Sequence, residues 1–227
     1  MRMRRKPNLE ARMEKNAFLL IPDPEAYRGR WQSEFGFSSI HLELGCGKGR
    51  FTIEAAKQAP DILHIGLEKT TNVLILALEH ANREGLKNIR FINSMADYLA
   101  LFFSPSEANR IYLNFSDPWP GRKQAKRRLT SKVFLESYSQ VLAHGGEVHL
   151  KTDNLPFFEF SLLEFERCGF NLLEETRDLH KNGAVGIMTD YELKFFSQGQ
   201  PIYRCVAVAS GDRMPPLHET EEDFGNY

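Results

Sequence analysis

Two short segments of the chain combine residue types that could hold a nucleoside and act on a base. The first is the glycine-rich run ELGCGKG at residues 43–49, which follows a short apolar segment. Glycines let a backbone turn sharply and let a ligand approach it closely. The spacing is G-x-G-x-G, whereas dinucleotide-binding loops have G-x-G-x-x-G and P-loops end in Gly-Lys followed by Ser or Thr. The run therefore predicts a ligand-binding loop that lacks a phosphate cradle.

Two acids flank this loop. Glu68 closes the next apolar segment, where an acid can accept hydrogen bonds from both hydroxyls of a ribose. Glu43 precedes the loop and would place negative charge near the amino-acid end of a cofactor. S-adenosylmethionine carries an ammonium and a sulfonium group but no phosphate, so the pattern favours it over NAD. The alternative is a glycine turn that is needed only for packing.

The second segment is NFSDPWPGRKQAKRRLT at residues 114–130. Pro118 and Pro120 stiffen the backbone around Asp117 and Trp119, because proline fixes its own φ and restricts the residue before it. A carboxylate held there could accept hydrogen bonds from the exocyclic amine and ring N–H of guanine. The basic residues that follow could hold phosphates. The alternatives are a solvated basic loop and, for Trp119, a place in the core.

Strand-like and helix-like segments alternate from Ser38 onward, which predicts βαβ units. We expect an α/β fold with a doubly wound, mainly parallel sheet and helices on both faces. Ligands of such sheets lie beyond the carboxyl ends of the strands, where both segments fall. The predicted strands span residues 40–44, 62–67, 89–92, 110–115, 147–151 and 202–209, and the predicted helices span residues 48–59, 71–84, 131–143 and 155–168.

These motifs closely resemble those of the bacterial tRNA (guanine-N7-)-methyltransferase family. The resemblance extends over roughly residues 1–210. It implies a Rossmann-like class I methyltransferase fold and S-adenosylmethionine as cofactor. It also implies methylation of N7 of guanine at position 46, in the variable loop of tRNA. The blocks that carry it are NFSDPWP at 114–120, KRRLT at 126–130, ELGCGKG at 43–49, GLEK at 66–69, LKTD at 150–153 and TDYE at 189–192.

The resemblance also implies roles for individual residues. Asp117 would be catalytic and would contact the cofactor as well. The implied cofactor contacts are Glu43, Gly45, Gly47, Gly49, Glu68, Lys69, Met95, Ala96, Asn114 and Asp117. The implied substrate contacts are Arg122, Lys123, Asp153, Thr189, Asp190, Tyr191 and Glu192.

Two positions depart from the family pattern. Met95 stands where the family usually has an aspartate facing the adenine, so that acid contact is lost unless Asp97 supplies it. Gly121 stands where the family usually has a lysine that contacts the substrate. The sequence leaves open which of Arg122 and Lys123, if either, takes that role.

The chemistry of N7 sets what the site must do. N7 of guanine has a free lone pair and no proton, so its methylation needs orientation rather than a general base. We expect Asp117 and Asp153 to orient the base by its N–H groups, with Trp119 or Tyr191 stacked on it. The alternatives are a methyltransferase of the same fold that acts on a small molecule or a protein, and a non-catalytic RNA-binding subunit. An NAD-dependent oxidoreductase is less favoured, because the glycine spacing differs.

The composition and residue pattern argue against membrane, secreted and metal-binding proteins. The 227 residues include 42% hydrophobic and 26% charged residues, which is ordinary for a globular protein. No apolar run is long enough to span a bilayer, and the basic N-terminus lacks the apolar core of a secretory signal. The sequence therefore predicts a cytoplasmic protein without membrane contact. Cys46, Cys168 and Cys205 are widely spaced, and the histidines form no metal motif, so no metal is expected.

Charge divides the chain into three predicted parts. Residues 1–37 form a basic, partly flexible leader, residues 38–210 the methyltransferase domain, and residues 211–227 an acidic tail. The arginines and lysine at the N-terminus, with the basic run that ends at Arg128, are the expected contacts to the tRNA backbone. The sequence does not distinguish a monomer from a homodimer.

Overall fold

A computed structural model of the chain describes residues 6–209. Arg2, Arg4 and Arg5 of the basic leader and the acidic tail at residues 211–227 lie outside the described residues. The strands are β1 Ile40–Leu44, β2 Leu63–Leu67, β3 Ile89–Ile92, β4 Ala108–Asn114, β5 Leu142–Thr152, β6 Phe170–Thr176 and β7 Tyr203–Ala209. The α-helices are α1 Leu9–Lys15, α2 Trp31–Phe35, α3 Arg50–Gln58, α4 Thr71–Glu84, α5 Leu99–Phe102, α6 Lys132–Val141, α7 Leu155–Arg167 and α8 Asp190–Ser197.

The seven strands form one sheet in the order β3-β2-β1-β4-β5-β7-β6. Strands β1 to β5 pair in parallel, and β7 runs antiparallel between β5 and β6. The order reverses beside β1, so the loops after β1 and β4 meet at the switch point where such sheets bind ligands. The predicted fold class is confirmed.

Alternating side chains of the central strands divide the core between two faces. Leu42 and Leu44 of β1 belong to the larger cluster, which is filled by α5, α6 and α7. The residues between them point the other way, since successive side chains of a strand face opposite sides of the sheet. On that side α3 and α4 build a second cluster with Phe91 of β3. Helices therefore cover both faces.

Local sequence explains where several elements begin and end. Helix α3 begins at Arg50, two residues after the predicted start, because Gly47 and Gly49 have φ of +58° and +77°. Such a left-handed backbone suits glycine and does not continue into a right-handed helix. Gly85, with φ of +65°, ends α4 in the same conformation. Strands β1 and β3 and helix α4 have the predicted bounds.

Part of the segment before β1 packs against the domain. Trp31 is fully buried, donates from Nε1 to the carbonyl of Phe102 at 2.8 Å, and stacks on Phe103. Arg12 on α1 pairs with Glu79 on α4 through two bonds of 2.6 and 2.7 Å. The predicted division at residue 37 stays a prediction. No helix in the described part of the chain is long and apolar enough to cross a membrane.

Candidate active site

A cavity of about 650 Å³ opens at the carboxyl ends of β1, β2, β3 and β4. Its volume lies in the range of small-molecule and cofactor sites. The structure thus brings together most of the predicted cofactor residues, which the sequence spreads over the segments that follow four strands. Those that line the cavity are Gly45, Glu68, Lys69, Met95, Ala96, Asn114 and Asp117.

The glycine loop is closely packed between β2 and α4. The N–H groups of Gly45 and Cys46 both donate to the carbonyl of Leu67, at 2.8 and 2.9 Å. A Cβ atom at Gly49 would lie 2.7 Å from the Cβ of Ala77. Real Cβ atoms do not approach so closely, so a side chain at this position would push α4 away from the loop. Position 49 therefore requires glycine for packing. Gly45 of the same loop lines the cavity.

Glu68 is fixed at the wall of the cavity by backbone amides. Its Oε1 accepts from the N–H of Thr70 at 2.8 Å, and its Oε2 accepts from the N–H of Gly47 at 3.2 Å. The carboxylate therefore links the ends of the two loops that follow β1 and β2. It is half-buried, and each oxygen has a second lone pair with which it could accept a ligand hydroxyl.

Glu43 lies beneath the cavity rather than on its surface. The side chain is buried and accepts from Asn114 Nδ2 at 2.9 Å and from the hydroxyl of Thr52. Burial raises the pKa of Glu43 to about 7, although both hydrogen bonds act in the opposite direction. In this structure Glu43 thus holds Asn114, which lines the cavity, and does not line it itself.

The loop that carries Asp117 has an unusual backbone. Phe115 and Trp119 have φ of +52° and +39°, in the left-handed region that residues other than glycine seldom adopt. Such conformations persist only where surrounding contacts impose them, and they cluster at functional sites. Asp117, between them, is exposed, and no partner for its carboxylate is found among residues 6–209. The Oγ atom of Ser116 is buried and also lacks a partner there.

Arg128 holds the Trp119 end of this loop. Its guanidinium donates to the carbonyl of Pro118 at 2.9 Å and to that of Trp119 at 3.0 Å. It also lies over the ring of Phe160, with 4.2 Å from Cζ to the ring centroid. A planar guanidinium can make both kinds of contact at once. The sequence suggested a phosphate contact for Arg128, but the structure commits its side chain to the loop.

The rest of the basic segment faces two directions. The Cζ of Arg127 lies 3.6 Å from the ring centroid of Trp119, and both side chains line the cavity. Arg122 and Lys123 are exposed in a short 3-10 helix that spans Arg122–Arg127. The structure therefore leaves Arg122 and Lys123 free to meet a ligand from solvent, while Arg127 covers one face of the indole.

Helix α8 begins with a capping box that is buried beside β5. Thr189 Oγ1 accepts from the N–H of Glu192 at 3.1 Å, and Glu192 Oε2 accepts from the N–H of Thr189 at 3.2 Å. The same carboxylate accepts from Lys151 Nζ at 2.9 and 3.1 Å and lies 2.9 Å from His180 Nε2. Burial lowers the pKa of Lys151, and the charge of Glu192 counteracts this effect. Glu192 is fully buried, so its carboxylate supports the segment from below.

The neighbours of Glu192 on α8 face outward. Tyr191 is 66% exposed, and its ring lies 6.5 Å from that of Phe115, nearly parallel to it. Asp190 pairs with Arg50 at 3.2 Å. Asp153 is exposed just beyond β5. None of the predicted substrate residues lines the cavity itself, so their contact with a substrate stays a prediction.

Several residues of the cavity were not predicted from the sequence. Ser116 stands within the loop that the sequence singled out, and its position next to Asp117 was the available signal. Val133 and Phe134 of α6 gave no signal, because only the packing of α6 brings them to the cavity. The additional lining residues are Ser94, Phe115, Ser116, Leu129, Val133 and Phe134, together with Asp97, which the sequence offered in place of the acid missing at Met95, and Lys126 of the basic run.

The described residues give little support for chemistry that uses a thiol nucleophile or a metal ion. Cys46, Cys168 and Cys205 are free and buried, and burial raises the pKa of each thiol. Thiols of this kind are poor nucleophiles at neutral pH. Between residues 6 and 209, no group of three or more His, Cys, Asp or Glu side chains is placed to hold a metal ion.

The strand order and the antiparallel β7 are those of the Rossmann-like fold of class I methyltransferases, and the cavity lies beside β1 and β4. Solved structures share this fold at low identity. The 16S rRNA methyltransferase KamB matches with a TM-score of 0.60 and 16% identity, over 77% of this chain and 89% of its own. A variant of the 16S rRNA (adenine(1408)-N(1))-methyltransferase from Catenulisporales acidiphilia, solved with its cosubstrate SAM, matches with a TM-score of 0.57 and 14% identity, over 86% of this chain and 95% of its own.

Closer relatives define the family. A family model described as "Putative methyltransferase" matches residues 38–205. A tRNA (guanine-N(7)-)-methyltransferase of Geobacillus kaustophilus is 46% identical over 210 residues, 92% of this chain and 97% of the relative. One from Bacillus velezensis is 47% identical over 217 residues, 94% of this chain and 100% of the relative. The chain belongs to the tRNA (guanine-N(7)-)-methyltransferase family.

Proposed function

We propose that this protein transfers the methyl group of S-adenosylmethionine to N7 of guanine at position 46, in the variable loop of tRNA. The observation that carries the proposal is the carboxylate of Asp117, which stands unpaired among residues 6–209 on a rigid loop at the cavity. The names of the relatives, which cover nearly the whole chain, support the choice of tRNA and of guanine N7.

The cavity suits the proposed cofactor. The glycine loop exposes backbone at Gly45 without a phosphate cradle, and the carboxylate of Glu68 is held where it can accept hydroxyl hydrogens. Met95 and Ala96 form the wall beyond β3, and Asn114 forms the floor. These residues would hold the cofactor. When bound, S-adenosylmethionine supplies an electrophilic methyl group on a sulfonium centre.

The residues of the chain then act by orientation and charge. Guanine N7 is a nucleophile without loss of a proton, so no side chain needs to act as a base. Asp117 would accept hydrogen bonds from the N–H groups of the guanine edge, and Asp153 would assist from the end of β5. Positive charge builds on the purine during transfer, and nearby carboxylates stabilise it. Trp119, or Tyr191 at the rim, would stack on the base.

The exposed residues around the cavity would hold the rest of the RNA. Arg122 and Lys123 project into solvent from the segment that supports the Asp117 loop. They are the candidates to contact phosphates beside the guanine, in place of the lysine that the family usually has at Gly121. The start of helix α8, with Thr189, Asp190 and Tyr191, lies on the other side of Phe115.

A methyl-transfer assay with two matched substrates tests the proposal. One tRNA transcript carries guanine at position 46, and the other carries adenine there and is otherwise identical. Label from S-adenosylmethionine should enter the first as N7-methylguanosine and should not enter the second. Equal labelling of both transcripts would contradict the assigned position. Cofactor binding without transfer to either would contradict the assigned substrate.

A further inference from the structure

A second polar cavity, of about 230 Å³, adjoins the end of the glycine loop. It is a groove between the end of that loop, the outer face of α4 and the first turn of α8. We call it the α4 groove. Its lining residues are Lys48, Arg50, Leu76, Glu79, His80, Arg83 and Asp190.

The α4 groove is rich in cations, and the carboxylates beside it are already paired. Glu79 accepts two hydrogen bonds from Arg12, at 2.6 and 2.7 Å, and Asp190 pairs with Arg50 at 3.2 Å. Lys48 and Arg83 are exposed, and neither forms an ion pair with another residue in the range 6–209. Arg83 is near enough to Glu79 and Glu84 to lower the pKa values of both, so its charge is partly balanced, whereas Lys48 adds an exposed cation at the end of the glycine loop.

The α4 groove lies close to the main cavity, by which we mean the cavity of about 650 Å³ at the carboxyl ends of the strands. Lys48 lies three residues after Gly45, which lines the main cavity, and the two belong to one loop. Asp190 lies in the groove, whereas the next residue, Tyr191, stacks on Phe115 at the main cavity. The groove and the main cavity are thus separated only by the glycine loop and the first turn of α8.

A nucleotide whose base enters the main cavity remains joined to its neighbours through phosphates on both sides. Lys126 and Arg127 line the cavity at the Asp117 loop, which provides cations on one side. The α4 groove provides cations on the other side, beyond the glycine loop. Phosphate oxygens need such partners, because their neutralisation supplies much of the affinity of proteins for nucleic acid.

We propose that the α4 groove binds phosphates of the tRNA backbone next to the nucleotide whose guanine is methylated. Lys48 and Arg83 make these contacts, and Arg50 adds to them when a phosphate competes with Asp190. The proposal rests on the proposed function, since it takes tRNA as the substrate. It adds a second backbone contact surface, separate from the basic segment after Asp117.

Binding of tRNA at several salt concentrations tests the α4 groove. The test variant is the double substitution Lys48→Ala with Arg83→Ala. Its matched control is Lys132→Ala with Arg167→Ala, which removes one exposed lysine from α6 and one exposed arginine from α7, on the face of the sheet opposite α4. We expect the Kd for tRNA to rise at least roughly tenfold in the test variant and to stay near the wild-type value in the control. The slope of log Kd against log salt should fall by about 2 in the test variant.

Two further measurements separate the possible failures. Affinity for S-adenosylmethionine, measured by calorimetry, shows whether the glycine loop is intact. The single substitution Arg83→Ala tests the groove without changing that loop. For this variant the slope of log Kd for tRNA against log salt should fall by about 1. If the wild type methylates tRNA and the test variants bind tRNA as the control does, the groove proposal is wrong. If the wild type transfers no methyl group to tRNA, the proposed function fails instead.

Discussion

At the scale of single residues, the candidate site depends on side chains that hold the backbone as much as on those that face the ligand. Arg128 fixes two consecutive carbonyls of the Asp117 loop, and Glu43 fixes Asn114 from below. The sequence placed Asp117 and Glu68 at the ends of strands and Glu43 before the glycine loop; in the structure Asp117 and Glu68 line the cavity, whereas Glu43 is buried within β1. The sequence did not predict that Arg128 turns inward while Arg122 stays exposed, because only the folded loop distinguishes the arginines of one basic run.

The substitution Arg128→Lys tests the support of the Asp117 loop. Lysine keeps the charge, but its ammonium cannot bond both carbonyls and lie flat on Phe160. We expect kcat for tRNA methylation to fall by about 100-fold, since a misplacement of about 1 Å has this effect, while KM changes little. The same exchange at the exposed Arg122 is the control and should leave kcat within about threefold of the wild type. A fall in tRNA affinity alone for Arg128→Lys would indicate a phosphate contact and contradict this account.

At the scale of elements, the sequence predicted the parts that are strongly apolar or bounded by glycine. Strands β1 and β3 and helix α4 have the predicted limits, and Gly85 marks the end of α4. Strand β6 was not predicted, because it is an edge strand with mostly exposed side chains that pairs only with β7. Strand β5 begins at Leu142, earlier than predicted, through pairing with Ala108 that local sequence does not reveal.

The segment TDYE at 189–192, which begins helix α8, can be interpreted as a helix cap or as a set of substrate contacts. Thr189 and Glu192 have the spacing of a capping box, a signal of a helix start that is visible in sequence. The family resemblance implied substrate contacts at the same positions. In the structure Glu192 is buried between Lys151 and His180, so this residue positions α8 at the rim of the cavity.

The substitution Glu192→Gln tests this positioning role. It leaves the ammonium of Lys151 buried without its counter-charge, which destabilises a protein by about 3–5 kcal/mol. Urea unfolding measures this loss, and Asp190→Asn, which breaks an exposed pair, should cost less than about 1 kcal/mol. Glu192→Gln should also raise the KM for tRNA, because α8 loosens, while affinity for S-adenosylmethionine is kept. Unchanged stability with a lower kcat alone would indicate direct contact with the base.

At the scale of the whole molecule, one face of the sheet carries two buried histidines, His41 and His64, and a partly buried third, His149. Burial lowers the pKa of His41 to about 3 and those of His64 and His149 to about 4, and nearby Arg110 acts in the same direction. These imidazoles are neutral in the folded protein at neutral pH. The unfolded chain binds their protons near pH 6.5, so the unfolded state gains protons first as pH falls.

The free energy of unfolding should therefore fall between about pH 6.5 and pH 4. Each histidine contributes about 2 kcal/mol of this loss by pH 5. The raised pKa of Glu43, about 7, acts in the opposite direction and offsets part of the loss. Urea unfolding at pH 7 and pH 5 measures the difference, and His41→Gln should make it smaller. An equal free energy of unfolding at pH 7 and pH 5 would show that the imidazoles are not buried as described.

The sheet topology brings the predicted cofactor residues together at the switch point, where loops from distant parts of the chain meet. The sequence could predict that these residues lie beyond the carboxyl ends of the strands, but not the strand order that forms the switch point. It could not predict the α4 groove, because Lys48, Arg83 and Asp190 belong to three elements whose packing determines their distance.

The central claim is that Asp117, held by its loop at the cavity, orients the guanine for methyl transfer. Single-turnover methylation of tRNA at saturating enzyme and cofactor tests it most directly, with wild type compared with Asp117→Ala and with affinity for S-adenosylmethionine measured in parallel. The account predicts a rate at least about 100-fold lower in Asp117→Ala, with tRNA binding largely kept. A rate within twofold of the wild type would contradict it.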